Sequence, residues 1–225
     1  LSLFKSGVVI AFFTFLSRVF GLVRELFVAS LFGTSYIADS VNVAFKLPNL
    51  FRRVFAEGAA QAVFIPIFND KLEDSKQHAK QFAGEILSIL LLSLIILTIL
   101  MQFLMPHLML FIAPGFNLDQ EKFDLTILLC RITMPYIIFI SIVALFGGVL
   151  NSIGRYVIFA ASPVIMNIVI IIATYSLKDV INPAYAMAYS IVIAGIIQLG
   201  SIIYYLKKYD FSFGPKKIVY NKDMQ

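Results

Sequence analysis

Four arginines, Arg18, Arg24, Arg52 and Arg53, stand between Ser17 and Glu57 in otherwise apolar sequence, together with Glu25, Asp39, Lys46 and Glu57. Ionisable groups inside hydrophobic segments are costly, and their ordinary explanation is a functional site facing a bundle interior or a wet cavity. A guanidinium fork matches the oxygens of a phosphate in pairs, which the point charge of lysine does not. The neighbouring carboxylates are too few to neutralise four guanidiniums, so the chemistry suggested is the binding of an anionic substrate. The alternative for Arg18 and Arg24 is an ion pair with Glu25 or Asp39 that only fixes helix packing.

Helical geometry sorts these residues. With Asp39 as reference and about 100° per residue, Asn42, Lys46, Asn49, Arg53 and Glu57 fall within an arc of roughly 80°. At about 1.5 Å per residue the stripe from Asp39 to Glu57 is roughly 27 Å long, close to the thickness of a bilayer's hydrocarbon core. On the preceding helix Arg18, Gly21 and Glu25 share a face, while Arg24 projects about 120° away from Arg18, a divergence that a bend at Gly21 would reconcile. Arg18, Arg24, Arg52 and Arg53 are the candidate substrate-binding residues. Glu25, Asp39, Asn42, Lys46, Asn49 and Glu57 are the candidate charge network of the cavity.

The elements that must hold this stripe are membrane helices. Hydrophobic residues make up 60% of the chain, charged residues only 14%, and the mean hydropathy is +0.90. Stretches without Asp, Glu, Lys or Arg run over 86–118, 132–154, 156–177 and 180–206, each at or above the roughly 20 residues that a spanning helix needs. The reading is an all-α integral membrane fold of six transmembrane helices, about 3–32, 36–68, 81–105, 123–150, 156–177 and 183–206. The second is too long for one straight span, and Pro48, Gly58 and Pro66 are the candidate bends, Pro48 as a packing kink or as a hinge. Lys5, the lysines of the 70–80 loop, Arg155 and the lysines after Leu206 fall on one side of six alternating helices. The positive-inside rule makes that side, with both termini, cytoplasmic. The Ala113–Asn117 run APGFN then lies in an outer turn.

These residues carry a family resemblance. The run FLSRVFGLVRELFVASLFGTSYIADSVNVAFKLPNLFRRVFAEGAAQAVFIPIF, from Phe15 to Phe68, contains SR-x-x-G-x-x-R followed by AFKLPNL-x-RR-x-FAEGA. In order and spacing it resembles the start of the MurJ/MviN lipid II flippases, members of a multidrug, oligosaccharidyl-lipid and polysaccharide exporter superfamily. The APGF turn, the later R-x-T-x-P-Y of Arg131 to Tyr136 and the run from Leu150 to Asn167 are similar as well. The resemblance implies cavity roles for Arg18, Arg24, Asp39, Arg52 and Arg53. It also implies lipid II, a polyprenyl-pyrophosphate-linked peptidoglycan precursor, as substrate, membrane lipid as surroundings, and the bacterial inner membrane as location. Another lipid-linked oligosaccharide or a drug is the alternative cargo. Glu25 departs from the pattern, which has aspartate after the arginine. Family members have two lobes, of which this chain would be the first: residues 1–206 form the lobe, and 207–225 a polar cytoplasmic tail or the start of a remainder. Because the resemblance covers only the first lobe and the sequence starts at Leu1 without methionine, a fragment lacking the C-terminal lobe is expected, with a reduced natural gene product as the alternative.

Other classes find little support. Cys130 is the only cysteine, and His78 and His107 are isolated, so neither a disulfide, a metal site nor a cofactor is expected. A net charge of +5 arises from cations inside helices and short loops, without the surface patch that nucleic-acid binding requires. No constellation of catalytic carboxylates or histidines is present, so no catalytic residue is assigned and the chain reads as a transporter rather than an enzyme. Arg131, near the outer end of its helix, is read as snorkelling to the interface in preference to contacting substrate.

Overall fold

A computed structural model describes residues 3–52 and 59–216 of the chain. Among them every regular element is helical. The order is α1 (Leu3–Phe32), α2 (Tyr36–Arg52), α3 (Ala59–Asp74), α4 (Lys76–Ile112), a 3-10 turn (Pro114–Leu118), α5 (Gln120–Thr133), α6 (Tyr136–Ser152), α7 (Tyr156–Leu177) and α8 (Pro183–Lys208). Five helical stretches among the described residues are long and apolar enough to cross a membrane: 7–32, 76–112, 120–152, 156–177 and 183–208. The all-α membrane architecture therefore stands, with a different division of helices.

The helix expected over 36–68 is represented by α2 and α3, on either side of residues 53–58. Gly58 lies outside the described residues, whereas Pro66 sits within α3 without ending it. The connector expected over 70–80 is mostly helical. α3 runs to Asp74, and Ser75 then caps α4, its hydroxyl accepting the His78 N–H at 3.1 Å. At its other end α4 continues through Pro106 to Ile112. A proline inside a helix leaves the carbonyl four residues earlier without its donor, here Gln102, and the Arg131 Nε from α5 donates to that oxygen at 2.9 Å. Arg131 thus ties α5 to a neighbouring helix. Pro48 raises the same problem in α2. Its orphaned carbonyl, that of Ala44, accepts the buried Thr133 hydroxyl at 2.9 Å.

The core is built around α6, which is buried without interruption from Ile140 to Leu150. A helix apolar on every side belongs at the centre of a bundle, and α3, α4, α7 and α8 all pack on it. Gly195 lets α8 approach closely, since a Cβ there would stand 2.7 Å from the Tyr136 ring. Polar side chains join helices inside the apolar surroundings: Thr126 donates to Ser40 at 2.9 Å, Thr174 to Ser190 at 3.0 Å, and Gln198 to Ser162 at 2.9 Å. Unpartnered polar groups are costly in lipid, so such pairs bring specific helices together.

α1 is different. It packs chiefly on α7 and only lightly on α2, and Arg24, Val28 and Phe32 are its buried residues. It ends at Gly33, whose positive φ of 56° lets its N–H turn back to Ala29 O at 2.8 Å. The light contact between α1 and α2 leaves a groove between them, floored by α7.

The ends of the bundle differ in charge. Lys71, Lys76, Lys80, Arg155, Lys207, Lys208 and Lys216 gather at one end, and Lys122 and Lys178 at the other. At the cationic end the chain after α8 turns back along α4. Phe211 is buried, Asp210 pairs with Lys76 at 2.7 Å, and Lys216 N–H donates to the Ser88 hydroxyl at 2.8 Å.

Candidate functional site

The groove holds three adjoining cavities. The largest, about 630 Å³, is lined by Gly21 and Arg24 of α1, Lys46 and Asn49 of α2, and Met166 and Asn167 of α7, with apolar neighbours. A second, about 580 Å³, lies further along α1 and takes in Arg18, Tyr136, Ser162 and Gln198; Asn49 and Met166 border both. A third, about 190 Å³, lies beyond Arg24 and is lined in part by Glu25 and Asn42.

Arg24 is the buried charge of the groove, at 8% relative exposure. Its Nη1 donates to Asn167 Oδ1 at 2.9 Å, its guanidinium lies 4.0 Å from the centre of the Phe45 ring, and its Nη2 reaches Glu25 Oε1 at 3.4 Å. The Glu25 side chain is 71% exposed. A long contact to an exposed carboxylate holds the guanidinium only loosely. The ring face and the amide dipole hold the cation without cancelling it.

Arg18 and Arg24 do not share one pocket. α1 stays helical through Gly21, so the angle between the two arginines persists and each opens into its own cavity. Gly21 has a different use: the Asn167 amide lies against it, 3.8 Å from where a Cβ would be.

The α2 stripe is realised in part. Lys46 and Asn49 line the largest cavity and Asn42 the smallest. The Asn49 amide donates to Phe45 O at 2.9 Å, in the turn that Pro48 disturbs. Asp39 turns away. Its carboxylate accepts the Lys122 ammonium at 2.6 Å, which links α2 to the start of α5, and it lines none of the three cavities. Arg52 closes α2, and its side chain lies outside the described residues, as do Arg53 and Glu57 altogether.

Asn167, Ser162 and Gln198 escape a reading based on charge, because each is a neutral residue in an apolar run. The available signal was a lone amide or hydroxyl in a lipid-spanning helix, which marks a helix contact or a site. Among the described residues no group of three or more His, Cys, Asp or Glu side chains converges as a metal site would require. Three cations, Arg18, Arg24 and Lys46, and one carboxylate, Glu25, line the cavities. An arrangement with that excess can hold an anion.

Comparison with known proteins bears on the family and the fold. The family profile described as lipid II flippase MurJ matches residues 28–225. The probable lipid II flippase MurJ of Rickettsia prowazekii is 51% identical over 213 residues, which cover 95% of this chain and 42% of the relative. The lipid II flippase MurJ of Burkholderia cenocepacia is 34% identical, with 93% and 41% covered. A solved structure of lipid II flippase MurJ in an inward closed conformation superposes with a TM-score of 0.71 at 30% identity, over 89% of this chain and 42% of that one. A MOP-superfamily transporter from Pyrococcus furiosus shares the fold, with a TM-score of 0.73 at 16% identity. The chain spans about two-fifths of the length of the curated relatives it matches.

Proposed function

This chain belongs to the lipid II flippase MurJ family, and from that premise we propose that it forms the N-terminal lobe of a transporter carrying lipid II across the bacterial inner membrane. The observation that supports the reading is Arg24, a buried guanidinium at a cavity wall, held by a neutral amide and a ring face, with one exposed carboxylate at 3.4 Å. Its uncompensated charge suits the pyrophosphate of a polyprenyl-linked substrate. Lys46 faces the same cavity and Arg18 the adjoining one, so the anion has cationic company along the groove. α2 ends at Arg52, and Arg52, with Arg53 after it in sequence, would meet the headgroup first. The polyprenyl tail would stay in lipid at the opening between α1 and α2, while sugar and peptide cross in the cavities.

Movement requires a second body. A lobe rocking against its counterpart alternates the site between the two faces of the membrane, and in this proposal the α1, α2 and α7 surface faces that counterpart. The cationic end, with the chain termini, faces the cytoplasm. Complementation tests the proposal. In a strain depleted of its own lipid II flippase, the gene carrying this chain should sustain growth. Arg24→Ala should abolish growth with membrane insertion intact, and Arg24→Lys, which keeps charge but loses the fork, should restore part of it. Full growth of Arg24→Ala at normal expression would remove phosphate clamping from the mechanism.

A further inference from the structure

Asn167 sits on α7, far in sequence from both groups it joins. Its Oδ1 accepts Arg24 Nη1 at 2.9 Å, and its Nδ2 donates to Ser17 O at 3.3 Å. The amide orientation follows from chemistry, because a guanidinium only donates and a carbonyl only accepts. Asn167 is 3% exposed, and its closeness to Gly21 ties α7 to α1 at the point where Arg24 leaves the helix. A carboxylate here would hold the guanidinium more strongly, but it would cancel the charge and leave nothing to donate to Ser17 O. A leucine would fill the space and hold nothing.

Resting on the flippase reading, we propose that Asn167 is the positioning residue of the anion site: an uncharged clamp that fixes the Arg24 fork toward the cavity while leaving its charge for a diphosphate. One strong hydrogen bond to a charged group is at stake, which corresponds to roughly tenfold in affinity.

The experiment uses the protein in nanodiscs with farnesyl diphosphate as probe and farnesol as its uncharged control, read by calorimetry. Asn167→Leu should bind the diphosphate about tenfold more weakly, with farnesol unchanged. The near-isosteric Asn167→Asp should fold as well as the parent yet bind the diphosphate at least as weakly, because its carboxylate neutralises Arg24. In an Arg24→Ala background, Asn167→Leu should cost nothing further. Diphosphate binding by Asn167→Asp within twofold of the parent would overturn the proposal, as would an undiminished effect of Asn167→Leu without Arg24. A second readout needs no ligand: the Arg24 side-chain N–H resonances should be slowly exchanging in the parent and averaged in Asn167→Leu, and resonances unchanged by the substitution would overturn the clamp. If the clamp is seen there while the parent binds farnesyl diphosphate no better than farnesol, the anion-site reading fails and the positioning of Arg24 stands.

Discussion

Arg131 and Gln102 exchange hydrogen bonds across two broken helical turns. Arg131 Nε donates to the Gln102 carbonyl at 2.9 Å, and Gln102 Nε2 donates to the Arg131 carbonyl at 3.1 Å. Each carbonyl is one that a proline has orphaned, Pro106 lying four residues after Gln102 and Pro135 four after Arg131. The pair lets α4 pass through Pro106 and lets α5 give way to α6 at Pro135 without leaving backbone oxygens bare in lipid.

Coupling between proline and clip is therefore expected. Gln102→Leu should lower stability by about 1 to 2 kcal/mol, the cost of an unsatisfied buried carbonyl. In a Pro135→Ala background, where the backbone supplies its own donor, the same change should cost markedly less. Unfolding in mixed micelles measures all four members of the cycle. Equal costs in both backgrounds would show that Gln102 is not serving the orphaned carbonyl.

The link between Asp39 and Lys122 is half-exposed, so its contribution to stability should be small, about 0.5 kcal/mol. Its value to the fold is orientation. Asp39→Lys should impair growth in the complementation assay through repulsion from Lys122, and adding Lys122→Asp should restore it. Failure of the swap with both proteins inserted would return Asp39 to a role in substrate handling.

The proposed topology is open to chemical labelling. In a Cys130-free variant, single cysteines at Gln77, in the cationic end, and Asn117, in the 3-10 turn of the opposite end, are both on exposed positions. An impermeant thiol reagent applied to intact spheroplasts should modify position 117 and spare 77. The reverse pattern would invert the orientation.

Acid should loosen the segment that follows α8. The hydrogen bond and charge of Lys76, then the charge of Lys80, hold the Asp210 carboxyl below its ordinary 3.8. A lowered acid contributes stability that is complete above the ordinary value and is lost as pH falls through the lowered one. Amide exchange at Lys216, whose N–H is held by Ser88, should be insensitive to this contact from about pH 5 to 8, beyond the usual base-catalysed trend, and should show added opening below 3.8. Asp210→Asn should show the open behaviour at neutral pH. Equal protection in that variant would mean the segment docks through Phe211 and Ser88 alone.

By itself the sequence determined what is local and periodic. Charge-free runs of spanning length required apolar helices, the arginine-rich stretch from Ser17 to Arg53 marked the segment on which the proposed anion site rests, and the asymmetry of lysines sorted the two ends. Helical spacing also placed Asn42, Lys46 and Asn49 on one face, where the structure has them lining cavities. Tertiary structure decided what each face meets. In a membrane protein, lipid-facing and core-facing residues are equally apolar: Leu22 and Leu26 of α1 are exposed while Leu129 and Leu150 are buried. Periodicity therefore could not say that α1 packs on α7, and without that contact Asn167 has no visible connection to Arg24, 143 positions away. The same holds for Asp39, whose stripe position was correct on the wheel but whose partner, Lys122, is supplied by another helix. It holds too for Arg131, whose acceptor exists only because a proline in a separate helix freed it.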